Sequence, residues 1–571
     1  MNRFLHQVAA EVATHLDAGT EDVAAWLEFP PDSALGDVAL PCFRLAKALR
    51  KAPQAIAAEL AEKLGANALF TAEAAGPYLN VRLRRSAAWQ AIFAQIAADD
   101  AFFTTERGQG QTVAIDLSSP NIAKPFSMGH LRSTVIGTAV ANILASDGYR
   151  TLRINHLGDW GTQFGKIIVA YRRFGDEATV RANPIHELNV LYVRFHEEAA
   201  LDPALDDEAR AAFKSLEDGD EENLALWRWI VGVSLEEFQR TYAMLGTRFD
   251  HLLGESFYND KMQDVVQELA DKRLLTQSDG AEVVMLDEEG LPPCLIRRSD
   301  GATLYPTRDL AAALYRRDAL GADRLLYVVG GEQRLHFQQV FAVLERMGRA
   351  FAKNCTHIAF GMMLMEGKKM STRKGQVVRL QDVLEEAVSR ARAIIAEKNP
   401  GLREADRTAR DIGVGAVVFN DLKTNRLHDI DFTMETALAF EGETGPYVQY
   451  AHARACSVLR KAGLLTAADG SPDRLAADVL PGELDDVSWE LAKLLGRYAD
   501  IRLRAADEAD PSLIAKHALD ISQAFNRFYH DCPILSAQEP VRTLRLSLTD
   551  ATRVTLRAAL ELLGVAQPTE I

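Results

Sequence analysis

Apolar side chains recur at helical spacing through much of this chain. Leu45, Leu49, Ile56, Leu60 and Leu64 form one stripe and predict a helix over Phe43–Leu64. A short strand is predicted at Tyr78–Leu83, and the two glycines of Thr104–Gly110 predict a linker. The pattern then changes. Val113–Leu117 reads as a short apolar strand and runs into a loop of Ser, Pro and Asn. A helix follows from about Met128, with Leu131, Val135, Val140, Ile143 and Leu144 as its stripe, and Leu152–Asn155 is the next strand. Strand, helix, strand at this spacing is a βαβ unit and predicts a parallel sheet.

Further strands are predicted at Arg324–Val329 and His357–Met363, with the helix Phe337–Met347 between them. A long helical stretch, about 184–273, separates the two halves. The pattern is that of a doubly wound, Rossmann-type α/β domain with a helical insertion. Residues 381–571 read as almost entirely helical, with Leu491, Leu494, Leu495, Tyr498, Ile501 and Leu503 in one stripe and a loop at Ala467–Asp473. The expected units are a small α+β domain over 1–106, the α/β domain over 107–380, a helical connection over 381–435 and an all-α domain over 436–571. No repeat of fixed period occurs.

Composition narrows the class. The chain has 571 residues, 48% hydrophobic and 25% charged, with a net charge of −16. That is ordinary globular composition, and the acidity argues against a nonspecific nucleic-acid coat while leaving room for a local basic face. The five cysteines, Cys42, Cys294, Cys355, Cys456 and Cys532, are scattered, with no metal-ligand spacing, so neither a disulfide framework nor a structural metal is expected. No apolar run approaches the length of a membrane span, and the N-terminus has no signal-peptide pattern. A soluble, cytoplasmic protein is expected.

Two loops carry candidate chemistry. Pro120–His130 joins the first α/β strand to its helix, where free backbone N–H groups and the helix dipole favour an anion. Gly129 admits a ligand close to the backbone, His130 can donate to a phosphate oxygen, and Lys124 adds a full charge. Gly367–Gly375 is a cationic loop with Lys368, Lys369, Arg373 and Lys374, suited to a developing pyrophosphate. Taken singly, the first is equally a βα turn with a packed histidine and the second a solvated surface turn.

Together they resemble the two signatures of class I aminoacyl-tRNA synthetases, His-Ile-Gly-His and Lys-Met-Ser-Lys-Ser. They stand here as Ser127-Met128-Gly129-His130 and Lys369-Met370-Ser371-Thr372-Arg373. Three further segments are similar to arginyl-tRNA synthetases and occur in the same order: Asn155–Gly165, Leu304–Leu310 and Glu441–Arg454. The resemblance runs from Ser33-Ala34-Leu35-Gly36-Asp37 to Asn526-Arg527-Phe528-Tyr529-His530, nearly the whole chain.

The resemblance implies an ATP-dependent arginine–tRNA ligase, with arginine, ATP and tRNA(Arg) as partners, Mg2+ on the ATP phosphates, no membrane and a monomeric state. By similarity Lys124, His130 and Lys369 are catalytic, and Ser127, Gly129, His130, Lys369, Ser371 and Arg373 bind ATP. Asn121, Glu255, Tyr305, Asp309 and Gln333 bind arginine. A guanidinium offers five donors and a fixed charge, so acceptors and carboxylates suit its pocket. Tyr305 and Asp309, four apart at a helix start, share a face. Without the resemblance Tyr305 and Asp309 are a packed aromatic and an N-cap, Asn121 a loop cap and Gln333 a surface residue. The helical C-terminal part would take the anticodon stem-loop, with Tyr447, Tyr450 and Arg454 as contacts, although core packing accounts equally well for the tyrosines. The N-terminal unit would touch the tRNA corner, with Asn80 as a contact.

Two departures from the family signatures matter. Ser127 stands where the first signature histidine is usual, and Thr372 where a lysine is common. Lys124 is the candidate to supply the missing charge. Rival readings are a class I relative for glutamate or cysteine, a tRNA-binding paralogue without activation chemistry, and a small nucleotidyltransferase. Asp309 and Glu255 would repel glutamate, the cysteine enzyme would need a zinc set absent here, and nucleotidyltransferases are short.

Overall fold

The computed structural model describes every residue except 1, 31–34, 99, 300–304, 366, 370–377 and 466–482. The candidates Ser371, Arg373 and Lys374 and the loop expected at Ala467–Asp473 lie outside the described residues. Of Lys369 the backbone is described and the side chain is not.

The N-terminal unit is an antiparallel sheet of β1 (Val38–Pro41), β2 (Phe70–Ala75) and β3 (Tyr78–Leu83), with β3 in the centre. The helix expected over Phe43–Leu64 is in fact two short turns, Cys42–Arg44 and Ala46–Leu49, followed by a separate helix Pro53–Leu64. Arg50 breaks it in the left-handed region at φ 52°. The cause is Pro53, which lacks an N–H, holds Ala52 extended and starts a new helix at its first turn.

Five parallel strands form the central sheet: β4 (Thr112–Asp116), β5 (Arg150–Asn155), β6 (His251–Leu252), β10 (Arg324–Tyr327) and β11 (Cys355–His357). Their order is β11-β10-β4-β5-β6. The chain therefore winds one way from β4 through β5 and the other way from β4 through β10, as a doubly wound sheet does. Alternate residues serve opposite faces. Val113, Ile115 and Leu326 join the large core shared with the terminal domains, whereas Ala114, Leu325 and Tyr327 pack with Tyr258, Phe337 and Val340.

The stretch 184–273 is not helical throughout. Helices Pro184–Leu201, Ala204–Glu217 and Glu221–Leu245 form the insertion; then Gly246 turns left-handed and the chain returns to the sheet as β6. A two-residue strand is too short to register as a pattern. Beyond it come a helix, Met262–Asp271, and an antiparallel sheet of β7 (Leu275–Ser278), β8 (Ala281–Val284) and β9 (Cys294–Arg297).

His357–Met363, expected as one strand, is split. β11 ends at His357, and β12 (Met363–Met365) belongs to a different sheet with β13 (Lys368–Lys369) and β14 (Ile430–Phe432). The crossing lies at Gly361, where a Cβ would stand 2.6 Å from the His428 carbonyl. β14 also interrupts the helical reading of 381–571. Elsewhere the described residues of that region are mostly helical, and Asp485 and Thr444 cap the helices Asp486–Glu508 and Gly445–Lys461 with their side chains.

The terminal domains pack on each other. The Trp89 indole donates to Ser547 Oγ at 3.1 Å, and Trp489 donates to Asp37 Oδ1 at 2.8 Å. Among the described residues no helix is long and apolar enough to cross a membrane.

Candidate active site

The site is built at the C-terminal ends of β4, β5 and β10, where a doubly wound sheet opens its crevice. Past β4, Ser118 and Ser119 both lie in the left-handed region, at φ 69° and 49°. Two adjacent non-glycine residues there mark stored strain, which local hydrogen bonds must hold. The Ser118 N–H donates to Ser133 Oγ at 2.9 Å and the Ser119 N–H to Asn155 Oδ1 at 3.1 Å. Ser119 Oγ donates to Asp116 Oδ1 at 2.7 Å and accepts the His156 N–H at 3.1 Å.

The next turn locks onto the loop after β5. Ile122 N–H donates to the Gly158 carbonyl and Gly158 N–H to the Pro120 carbonyl, both at 3.1 Å. Asn121 lies against Gly158 so closely that a Cβ there would sit 2.1 Å from Asn121 Oδ1. Asn121 itself is exposed to the crevice.

Ser127 and His130 close the first signature on itself. His130 Nδ1 accepts the Ser127 N–H at 3.1 Å, with Ser127 Oγ at 3.2 Å. A ring nitrogen that accepts an N–H carries no proton of its own, so the free Nε2 is the donor. Burial, with Lys124 adding like-charge repulsion, pushes the imidazole down to about 4. It is therefore a neutral donor at physiological pH. Gly129 beside it is exposed, whereas Ser127 is buried.

The first signature loop bonds through its backbone to residues that follow the second loop in the chain. Met128 N–H donates to the Val378 carbonyl at 3.1 Å, and Leu380 N–H to the Phe126 carbonyl at 2.9 Å. Ser127 and Arg379 form an isolated antiparallel bridge. The far side of the second loop leaves from β13, and Gly367 N–H donates to Asp431 Oδ1 at 3.0 Å. Lys124 lies with its ammonium 5.3 Å from the Tyr192 ring centroid, on the first insertion helix. The insertion also holds the loops from beneath: Ala123 N–H donates to Ser234 Oγ, and the Trp227 indole to the Asp159 carbonyl.

Beside these loops is an acidic pocket. Asp309 Oδ2 is 2.6 Å from His336 Nε2, and Asp309 Oδ1 is 4.0 Å from His156 Nε2. Burial raises the Asp309 carboxyl, but the His336 hydrogen bond and charge, with His156 and Arg316 behind it, outweigh that and hold it below the usual range. Glu255 is pushed up to about 7 by burial, Arg308 opposing and Asp309 and Asp159 adding. Its partner Arg308 stands 3.7 Å away. Asp159 is buried and accepts from the Ser256 N–H at 2.8 Å and Oγ at 2.7 Å, which fixes the turn carrying Glu255. Tyr305 is 63% exposed, one helical turn before Asp309. Gln333 is exposed at the start of the helix Arg334–Arg346 that carries His336.

His156, His336, Asp159 and Arg308 were not picked out by residue type. His156, Asp159 and Arg308 fall inside segments that resemble the family, where a polar residue is the available signal, and His336 falls outside them.

The RNA-contact candidates divide. Tyr450 is exposed, and the Arg454 guanidinium lies between the rings of Tyr450 and Tyr529, 4.6 and 4.9 Å from their centroids. Tyr447 is half-buried. Asn80 is 9% exposed in the central strand, paired with Ala39 and Glu73.

Comparison with known proteins agrees with this geometry. Residues 93–434 match the family of tRNA synthetases class I (R), catalytic domain; residues 448–571 match the DALR anticodon binding domain, and residues 2–83 the arginyl tRNA synthetase N terminal domain. The arginine–tRNA ligase of Exiguobacterium sibiricum is 50% identical over 568 residues, covering 99% of this chain and 98% of that one. That of Streptococcus thermophilus is also 50% identical, covering 99% of each. Among solved structures, Thermus thermophilus arginyl-tRNA synthetase superposes with a TM-score of 0.81 at 30% identity over 100% of both chains. The Plasmodium falciparum arginyl-tRNA synthetase shares the fold, with a TM-score of 0.77 at 22% identity over 95% of this chain and 94% of its own. With family models matching residues 2–83, 93–434 and 448–571 and relatives 50% identical over 99% of its length, this chain belongs to the arginyl-tRNA synthetase family of class I aminoacyl-tRNA synthetases.

Proposed function

We propose that the chain is an arginine–tRNA ligase that activates L-arginine with ATP and transfers it to tRNA(Arg). The observation that supports this is the backbone pairing of Ser127 and Met128 with Arg379 and Val378, the residues that follow the second cationic loop in the chain.

In the first step an arginine carboxylate oxygen attacks the α-phosphorus of ATP. The P–O bond to the β-phosphate breaks, pyrophosphate leaves and arginyl-adenylate forms. The nucleophile is already an anion, so no general base is needed, and catalysis is positioning plus charge stabilisation. His130 donates from Nε2 to a phosphate oxygen, Gly129 lets the phosphates approach, and Lys124, Lys369 and Arg373 neutralise the growing charge on pyrophosphate. Ser127 serves by holding His130, and Ser371 completes the second loop. Mg2+ enters on the ATP phosphates as part of the substrate. Asp309, Glu255 and Tyr305 take the guanidinium, with Asn121 and Gln333 toward the amino-acid end.

In the second step a terminal ribose hydroxyl attacks the adenylate carbonyl and AMP leaves. The 1–106 unit rests on the tRNA corner, Asn80 shaping that surface, and 436–571 holds the anticodon loop on Tyr447, Tyr450 and Arg454. The enzyme acts as a cytoplasmic monomer. Pyrophosphate exchange against a panel of amino acids, with and without tRNA, tests the assignment. Arginine should be the amino acid that drives exchange; exchange driven by another would reassign the substrate.

A further inference from the structure

Asp116, the last residue of β4, is a buried carboxylate whose two oxygens take donors from two different elements. Oδ2 accepts from Arg316 Nη2 at 2.7 Å, with the two side chains 7% and 2% exposed. Arg316 stands on the helix Tyr305–Asp318, about two turns beyond Asp309 and so on the same face. Oδ1 accepts from Ser119 Oγ at 2.7 Å. That hydroxyl has a single proton to give, and the Leu117 carbonyl is the poorer acceptor at 3.3 Å. The same oxygen accepts the His156 N–H at 3.1 Å. One line of hydrogen bonds thus runs from the helix that bears Asp309, through the end of β4, to the loops after β4 and β5.

The line ends where two halves of a substrate complex would have to be aligned. Asn121, two residues past Ser119, is read as facing the amino-acid end of arginine, and His130 farther along that loop as a donor to ATP. Asp309 is read as the guanidinium carboxylate. Ser118, Ser119 and Ala123 lie at φ 69°, 49° and 61°, a backbone that non-glycine residues keep only where their surroundings over-determine it. Backbone bonds among Pro120, Ile122 and Gly158 fix the two loops to each other. The Arg316–Asp116–Ser119 line refers both loops to the helix of the acidic pocket. Resting on the proposed function, we infer that Asp116 and Ser119 are positioning residues: through Ser119, the Asp116 carboxylate sets the reach between guanidinium pocket and phosphate loop, so that the arginine carboxylate meets the α-phosphorus. Both act through other groups. Their loss slows attack more than it weakens either ligand, because each half of the site keeps its own contacts.

The test is the burst of pyrophosphate release at saturating arginine, ATP and tRNA, for wild type, Ser119→Ala, Asp116→Asn and the double variant. Arginine affinity by calorimetry, the KM for ATP and thermal melting are measured alongside. Burst amplitude counts competent sites, so the burst rate reports each such site and is blind to a fraction that has unfolded. Ser119→Ala keeps the ion pair and meets the same left-handed backbone that serine does. It should slow the burst roughly tenfold to 100-fold while arginine affinity and the KM for ATP stay within about twofold. Asp116→Asn should slow it as well, and the double variant should lose much less than the product of the two single effects, because both act through one hydrogen bond. If Asp116→Asn does not fold, Ser119→Ala decides alone. A wild-type burst rate in Ser119→Ala, whatever its melting temperature, overturns the inference and leaves the hydroxyl a structural group. A loss confined to arginine affinity overturns it too. If the wild-type chain gives its burst with another amino acid and not with arginine, the proposed function is what fails.

Discussion

Arg132 and Asp421 meet at 3.1 Å with both side chains 1% exposed, joining the helix of the first signature to the helix Ala405–Leu422. Arg132 also donates to the His428 carbonyl at 2.8 Å, in the turn that leads into β14. Because β14 pairs with β12, this one guanidinium ties the His130 loop to the hairpin that carries Lys369. The pair is incompletely satisfied: Arg132 Nη2 and Asp421 Oδ1 are buried without partners. Burial pushes the Asp421 carboxyl from 3.8 up to about 6 against the pull of Arg132. The folded state thus keeps a proton that the unfolded chain has released, and this group's contribution to stability declines as pH rises across that window. Arg132→Met should cost about 3–5 kcal/mol in urea unfolding by stranding Asp421. Arg132→Met combined with Asp421→Leu should recover most of that loss, and failure to recover would mean that the arginine acts through something other than the pair.

Lys124 bears on the missing signature lysine. Its place over the Tyr192 ring sets it on the signature-loop side of the crevice, supported by the insertion. On the proposed reading, a charge there would act on the phosphates as pyrophosphate leaves. Lys124→Ala should therefore lower the rate of adenylate formation by about 100-fold or more, the scale of losing a preorganised transition-state contact, while arginine affinity stays within about twofold. Single-turnover measurements check it, and a variant with near-normal turnover would refute the role.

The sequence made the catalytic half legible because its signals are local. Val113–Leu117, the Ser127–His130 turn and the stripe of Leu131–Leu144 are short-range patterns, and the parallel sheet follows from their order. What stayed hidden was non-local. β6 has two residues and is a strand only because β5 lies beside it. β12 and β14 are three residues each and find one another far apart in the chain, through pairs such as Met365 with Phe432. The acidic pocket was half legible: Asp309 and Glu255 could be named from resembling segments. His336 and His156 became its members only when the helix after β10 and the loop after β5 were brought to the same carboxylate.

Glu255 gives the site a pH dependence. Its carboxyl titrates near 7 instead of 4.5, chiefly through burial, with Arg308 opposing and Asp309 and Asp159 reinforcing. Charging it costs folded-state stability as pH rises from 4.5 to about 7, and a bound guanidinium offsets that cost. Arginine should therefore bind more weakly as pH falls from about 8 to about 6, and binding near neutrality should release a proton, read by calorimetry in buffers of different ionisation enthalpy. Glu255→Gln should abolish the proton release and weaken arginine by about 30-fold, near 2 kcal/mol. Proton release that persists in the variant would move the titration to another group.

Arg454 separates RNA contact from core packing. Held between Tyr450 and Tyr529 and bonded to Asn526 Oδ1, its guanidinium borders a cavity of about 260 Å3 lined also by Ser457, Lys461 and Ser536. A cation sandwiched by rings with an open polar cavity beside it suits an unstacked base, whose face takes the aromatic and whose edge takes the hydroxyls. Tyr450→Ala should raise the KM for tRNA about tenfold to a hundredfold, the scale of one lost stacking contact, and Tyr450→Phe should stay near wild type. Arg454→Ala should do the same and also free the Tyr529 ring. In both variants the arginine affinity measured without tRNA should be unchanged, because the cavity's lining does not include the residues proposed to bind arginine. A variant that loses thermal stability but keeps its KM for tRNA would assign these rings to the core instead.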